Sequence, residues 1–181
     1  MQQGTEEIIM AGFGGQGILF LGKVLAQAGM IMGHHVSWLP SYGPEMRGGT
    51  ANCTVILSDH PIASPIVAEP DTLIAMNRPS VDRFQGKVKP GGLILYNSSL
   101  IDQVKQRDDV RVAAVPASAI ADEIGSPRVA NLVMVGAYLK NSGILKFDDV
   151  LKTLPSIIPS KKKEMSQVNI DALKRGFDSV H

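Results

Sequence analysis

Short unbroken apolar runs alternate along this chain with longer stretches that repeat on a helical period. The runs at 7–11, 34–39, 50–58, 71–77, 93–97 and 110–115 are too short for helices and are bounded by Gly, Pro, Asn or Asp, so they predict strands. Between the first two, 16–32 carries Ile18, Leu19, Leu21, Val24, Leu25, Ala28 and Ile31 on one wide apolar face, with Gly33 as a stop. Short helices are predicted from Pro79 to Phe84 and over 117–125, the latter ending on Gly125. Ser126 and Pro127 read as an N-cap and a first-turn proline for a helix over 128–139. That helix is apolar all round at Val129, Leu132, Val133, Val135, Gly136, Tyr138 and Leu139, so it should be buried. A last helix over 161–178 is amphipathic, with Met165, Val168, Leu173 and Phe177 inward.

Strands alternating with helices predict an α/β fold, a three-layer α/β/α sandwich of Rossmann-like kind with a mostly parallel but mixed sheet. The mixed part follows from one connection. About ten residues without helical pattern separate the second and third strands. A parallel crossover needs a dozen or more, so those two strands should run antiparallel or lie apart. The connector His60-Pro61-Ile62-Ala63-Ser64-Pro65 ends the third strand. No repeat, low-complexity segment or linker divides the chain, and a single domain over 1–181 is expected.

Two motifs stand out. Gly12-Phe13-Gly14-Gly15-Gln16-Gly17 is a G-x-G-x-x-G between a predicted strand and a predicted helix. Small residues make the turn tight, and the first N–H groups of the helix, with its dipole, favour an anion there. A dinucleotide site also needs an acid about 20 residues on, at the end of the second strand. His34-His35-Val36-Ser37-Trp38-Leu39 stands in that place, and the first acid after the glycines is Glu45. Arg47 is the only arginine for an NADP variant, and it lies past two prolines. No Tyr-x-x-x-Lys follows Tyr42 or Tyr138, which argues against a freestanding nicotinamide dehydrogenase.

The second motif is Pro40-Ser41-Tyr42-Gly43-Pro44-Glu45-Met46-Arg47-Gly48-Gly49-Thr50. Its prolines fix φ and its glycines permit close approach, so the segment restricts itself and presents Tyr42, Glu45 and Arg47 beside Gly48 and Gly49. Such a loop holds side chains for a partner or ligand; the structural alternative is a turn with Glu45 and Arg47 in solvent. Asn131, inside the all-apolar helix, needs a hydrogen-bond partner, either in the core or on a ligand.

With 44% apolar and 19% charged residues the chain is globular rather than disordered. Its net charge of +1 and the lack of a long basic stripe argue against nucleic acid as a partner. Lys161-Lys162-Lys163 reads as a solvated helix start. No charged-then-apolar leader and no long apolar run is present, so neither a signal peptide nor a membrane span is expected. Cys53 is the single cysteine, which forbids an internal disulfide, cannot hold an iron–sulfur cluster alone and fits the reducing cytoplasm. His34, His35, His60 and His181 lack metal-ligand spacing, so no metal site is proposed.

Taken together, the glycine motif, the segment from Pro40 to Gly49, and Asn131 with Gly136-Ala137 resemble the gamma subunit of 2-oxoacid:ferredoxin oxidoreductases, over essentially the whole chain. The Tyr-Gly-Pro-Glu-Met-Arg segment makes the resemblance specific. It implies an enzyme that oxidatively decarboxylates a 2-oxoacid with coenzyme A to an acyl-CoA and carbon dioxide, sending electrons through iron–sulfur clusters to ferredoxin. Thiamine diphosphate carries the carbanion chemistry in that family. This chain has no Gly-Asp-Gly with a following Asn pair and lacks cluster cysteines. The resemblance therefore implies that thiamine diphosphate, Mg and the clusters sit on alpha-, beta- and delta-type partner subunits, that this chain alone binds no cofactor and supplies no catalytic residue, and that it is inactive by itself. It also implies that Gly12, Gly14, Gly15, Gln16 and Gly17, with Tyr42, Glu45, Arg47, Gly48, Gly49 and Asn131, face coenzyme A, substrate or partner chains. Among oxoacids, 2-oxoglutarate is favoured, with pyruvate and indolepyruvate types as alternatives. A nucleotide- or anion-binding module is the non-catalytic alternative. An apolar docking face near Met30, Met32 and Met46 makes a homodimer of the isolated chain a further expectation.

Overall fold

The computed structural model describes residues 4–41, 50–158 and 163–180. In chain order the elements are β1 (Thr5–Phe13), α1 (Ile18–Ile31), β2 (His35–Ser41), β3 (Thr50–Ser58), β4 (Thr72–Ala75), α2 (Arg78–Phe84), β5 (Leu93–Asn97), β6 (Arg111–Val115), α3 (Ala117–Glu123), α4 (Ala130–Asn141), α5 (Phe147–Ile157) and α6 (Lys163–Asp178). The six strands form one sheet in the order β2-β3-β1-β4-β5-β6. β1, β4, β5 and β6 run parallel, while β3 is antiparallel to both neighbours, pairing Phe13 with Thr50 and Ser41 with Asn52. The short connection between β2 and β3 thus does what its length dictates.

The two faces of the sheet are covered unequally. Ile8, Met10, Ile74, Met76 and Leu95 pack under α1, α3, α4, α5 and α6 in the larger core. Ile9, Ala11, Leu73, Ala75 and Ile94 alternate to the other face, which α2 covers with Val81 and Phe84. α4 is the central helix: every residue from Ala130 to Leu139 is buried, as its unbroken apolar pattern requires. Its contact with α6 is made backbone to backbone at two glycines. A Cβ on Gly136 would overlap the Leu173 carbonyl, and one on Gly176 would overlap the Val133 carbonyl.

Several expectations need correction. α1 starts at Ile18, with Gln16 and Gly17 in the turn before it. Ile31 is 53% exposed and Met165 is 48% exposed, so neither faces the core. Both lie in the end turns of their helices. Ser126 stands at the cap position of a 3₁₀ turn, Pro127–Val129, but its side chain makes no capping bond, and α4 begins only at Ala130. α5 was not anticipated from the pattern. Gly33 does end α1: at φ +87° it lets Gly33 N–H reach the Met30 carbonyl and His34 N–H reach the Gly29 carbonyl, a Schellman closure.

Candidate functional site

β1 runs into the glycine turn and then into α1 on the larger-core face, whereas its parallel neighbour β4 runs into α2 on the other face. The carboxyl ends of β1 and β4 therefore flank a topological switch point, where open α/β sheets bind ligands. Gly15 and Gly17 adopt left-handed conformations, φ +95° and +73°, that reverse the chain within the turn. Gln16 staples it. Its Oε1 accepts from Phe13 N–H at 2.7 Å and its Nε2 donates to the Met76 carbonyl at 3.2 Å, so one amide ties the end of β1 to the end of β4. A side chain at Gly12 would collide with that amide and with Ile18.

The N-terminus of α1 is left open. Gly17 at the cap offers no side-chain acceptor and no acidic residue stands in the first turn. The uncapped N–H groups and the dipole make this end locally positive. Phe13, Gly14, Gly15 and Phe20 are exposed around it. Asn131 reaches the turn from α4, donating its Nδ2 to the Gly17 carbonyl at 3.4 Å while its Oδ1 accepts from Leu132 N–H at 2.8 Å. The structure thus brings together Gly12, Gly14, Gly15, Gln16, Gly17 and Asn131, and the partner that buried Asn131 requires is the turn itself. Tyr42, Glu45, Arg47, Gly48 and Gly49 lie outside the described residues. The residues bracketing them, Ser41 and Thr50, end β2 and begin β3 at this same edge of the sheet.

Antiparallel β3 occupies the position beside β1 where a dinucleotide-binding fold has a parallel strand carrying its acid. This is a second reason, independent of the absent acid, that the nicotinamide reading fails. A family model described as pyruvate ferredoxin/flavodoxin oxidoreductase matches residues 7–179. The chain belongs to that family. The ketoisovalerate oxidoreductase subunit VorA of Methanothermobacter marburgensis is 42% identical over 170 residues, taking in 93% of this chain and 35% of that one. The 2-oxoglutarate synthase subunit KorC of Methanocaldococcus jannaschii is 34% identical over 176 residues, taking in 96% of this chain and 92% of that one. This chain spans only about a third of the length of the VorA relatives. Among solved structures, the keto/oxoacid ferredoxin oxidoreductase gamma subunit of Geobacter sulfurreducens superposes with a TM-score of 0.85 at 28% identity, covering 97% of this chain and 96% of that one. The 2-oxoglutarate:ferredoxin oxidoreductase of Magnetococcus marinus, with 2-oxoglutarate, coenzyme A and succinyl-CoA bound, superposes with a TM-score of 0.87 at 25% identity, covering 98% of this chain and 31% of that one. The resemblance drawn from the motifs holds at the level of family, and the gamma-subunit fold is shared end to end.

Within this oxidoreductase gamma-subunit fold, no three His, Cys, Asp or Glu side chains among the described residues are grouped to hold a metal. Cys53 is buried, donates toward the Ile18 carbonyl at 3.5 Å, and has its thiol pushed up to about 12 by burial, so it does not suit cluster ligation. No helix among the described residues is long and apolar enough to cross a membrane. Two polar residues at the same edge escaped the pattern reading. Asn77 caps α2, its Oδ1 accepting from Ser80 N–H at 2.9 Å, and Asn97 accepts from Ser118 N–H at 3.3 Å and donates to Ser118 Oγ at 2.8 Å. The signal for the first was present: an Asn at a strand end, two residues before a proline, is a helix start. Asn77 Nδ2 and Ser80 Oγ are buried without a hydrogen-bond partner among the described residues.

Proposed function

We propose that this chain is the gamma subunit of a multi-subunit enzyme that oxidatively decarboxylates a 2-oxoacid with coenzyme A to an acyl-CoA, carbon dioxide and reduced ferredoxin. Alpha-, beta- and delta-type subunits carry thiamine diphosphate, Mg and the iron–sulfur clusters, and this chain is inactive without them. The observation that carries the reading is the family match over residues 7–179, in a chain whose open α1 N-terminus sits at the switch point of the sheet. The glycine turn and the segment from Tyr42 to Gly49 form the surface that meets the thiamine-bearing subunits. The α1 N-terminus and Arg47 contact phosphate groups of coenzyme A or a substrate carboxylate there, a bidentate role that suits arginine. That the Magnetococcus relative binds coenzyme A supports this assignment.

The oxoacid is selected mainly by the partner chains. Among the relatives matched along most of their length, the 2-oxoglutarate subunits are more similar than the pyruvate-type ones, which favours 2-oxoglutarate, while the higher identity to VorA favours a branched-chain 2-oxoacid as the second reading. The test is to tag this chain in its source, purify the complex gently, identify its companions, and assay coenzyme A-dependent dye reduction with 2-oxoglutarate, 2-ketoisovalerate, pyruvate and indolepyruvate. Companions carrying thiamine diphosphate and clusters, with activity on one oxoacid, are the expected result. A chain recovered alone and inactive contradicts it. In the assembled enzyme Arg47→Ala raises the KM for coenzyme A if Arg47 holds the ligand, and unchanged kinetics would sink that role.

A further inference from the structure

A cavity of about 560 Å³ opens at the end of the sheet opposite the glycine turn, where β1, β4, β5 and β6 begin. The parallel register places Thr72, Leu93 and Arg111 side by side, and Glu6 lies two residues before Ile8, the partner of Thr72. All four therefore project to the face that α4 covers. Most charges around this cavity satisfy one another. Lys89 Nζ lies 2.6 Å from Glu7 Oε2 and 3.1 Å from Asp71 Oδ1, and His34 Nδ1 lies 2.9 Å from Asp59 Oδ1.

Two charges stay unpaired. Glu6 accepts from Thr72 Oγ1 at 3.0 Å and from Ser142 Oγ at 3.3 Å, with the Tyr138 hydroxyl 3.2 Å from Ser142 Oγ, but it forms no ion pair among the described residues. Arg111 is exposed and likewise makes no ion pair among the described residues. Its strand is three strand spacings, roughly 14 Å, from that of Glu6, and both side chains line the cavity, which leaves room for a small molecule between the two charged groups. Above Glu6, α4 ends at Asn141, so the negative end of its dipole also faces a cation placed there. Burial pushes the Glu6 carboxyl above the usual range, against the hydroxyl bonds that pull it down, and an ammonium group would offset that cost.

We propose that this cavity binds a free α-amino acid, its ammonium on Glu6 beneath the end of α4 and its carboxylate on Arg111. The volume fits such a ligand with its side chain. The cavity is at the far end of the sheet from the surface assigned to coenzyme A and partner chains, so this inference stands apart from that assignment.

The test titrates the full ¹⁵N-labelled chain with the complete set of standard amino acids, following the amides of Thr5, Thr72 and Arg111. n-Butylamine and 2-oxoglutarate, which carry only one of the two charged groups, are the controls. At least one amino acid should give saturable shifts at these positions. The controls should bind about tenfold more weakly or worse, as should Glu6→Gln and Arg111→Ala tested separately. Arg111 is exposed, so its variant keeps the test open if Glu6→Gln fails to fold. The proposal is overturned if no amino acid saturates the site, if either control binds as tightly, or if the variants retain wild-type affinity.

Discussion

Asn131 and Gly17 are 114 residues apart in the chain and are built as a pair: the buried amide donates to the Gly17 carbonyl, and a Cβ on Gly17 would occupy the space of that amide. Gly17 is fixed by two constraints, its left-handed φ of +73° and the neighbour that fills the place of its absent side chain. The open N-terminus of α1 is thus held by α4, the most buried helix of the fold.

Gly17→Ala should cost about 2 kcal/mol, combining the left-handed penalty with the overlap. Asn131→Ala should cost about 1 kcal/mol through the lost hydrogen bond. The double variant should be less destabilised than the sum by on the order of 1 kcal/mol, because removing the amide relieves the clash. Urea melts of the four species measure this directly, and strict additivity would show that the two residues do not act as a pair.

Gly136 and Gly176 set the approach of α4 to α6. Either one changed to alanine drives a methyl into the carbonyl of the facing helix, backbone against backbone, where no side chain can yield. Each change should cost about 3 kcal/mol or more and broaden the amide spectrum around Leu173 and Val133. A thermal midpoint within a degree or so of wild type for Gly136→Ala would mean that the helices are not this close.

Much of this arrangement was legible in the chain. The antiparallel pairing of β2 with β3 follows from a connection too short for a crossover, and the burial of α4 from its lack of a polar face. The helix stop at Gly33 was legible because glycine takes the left-handed turn there without a Cβ penalty. The helical spacing of α5 was also present, in Phe147, Val150, Leu151, Leu154 and Ile157 behind Asp148 and Asp149, but Pro155 inside the span masks it. Pro155 lies in the last turn, so the backbone hydrogen bond that it removes is one of the final ones of the helix. What pattern cannot show is which polar atoms meet. Nothing in the order of residues says that Gln16 spans from Phe13 to Met76, that Asn131 faces Gly17, or that Glu6 is ringed by hydroxyls from β4 and α4.

Cys53 offers a simple probe of how closed the α1–β3 contact is. Its thiol lies against the Ile18 carbonyl, has no accessible surface, and is pushed up to about 12 by burial ahead of the bonds from Trp38 and Gly22 that lower it. The reactive thiolate is therefore essentially absent near neutral pH. The native chain should resist a disulfide reagent at about pH 8 and label fully once unfolded. Rapid stoichiometric labelling of the native chain would show that α1 lifts from the sheet.

Glu6 makes the stability of the fold depend on pH in an unusual direction for a carboxylate. Burial raises its folded value, and the nearby Asp71 adds to the rise, against bonds from Tyr138, Thr72 and Ser142. A raised folded value means that the folded state holds the proton more tightly than the unfolded chain does. Its contribution to stability is fully present below the unfolded value and is lost as pH rises through the folded one. Glu6→Gln, which keeps the shape and cannot ionise, removes that dependence. The melting temperature of Glu6→Gln relative to wild type should therefore increase between about pH 4 and about pH 8. A difference that stays flat over this range, or that shrinks, would show that the three hydroxyls offset the burial of the charge completely.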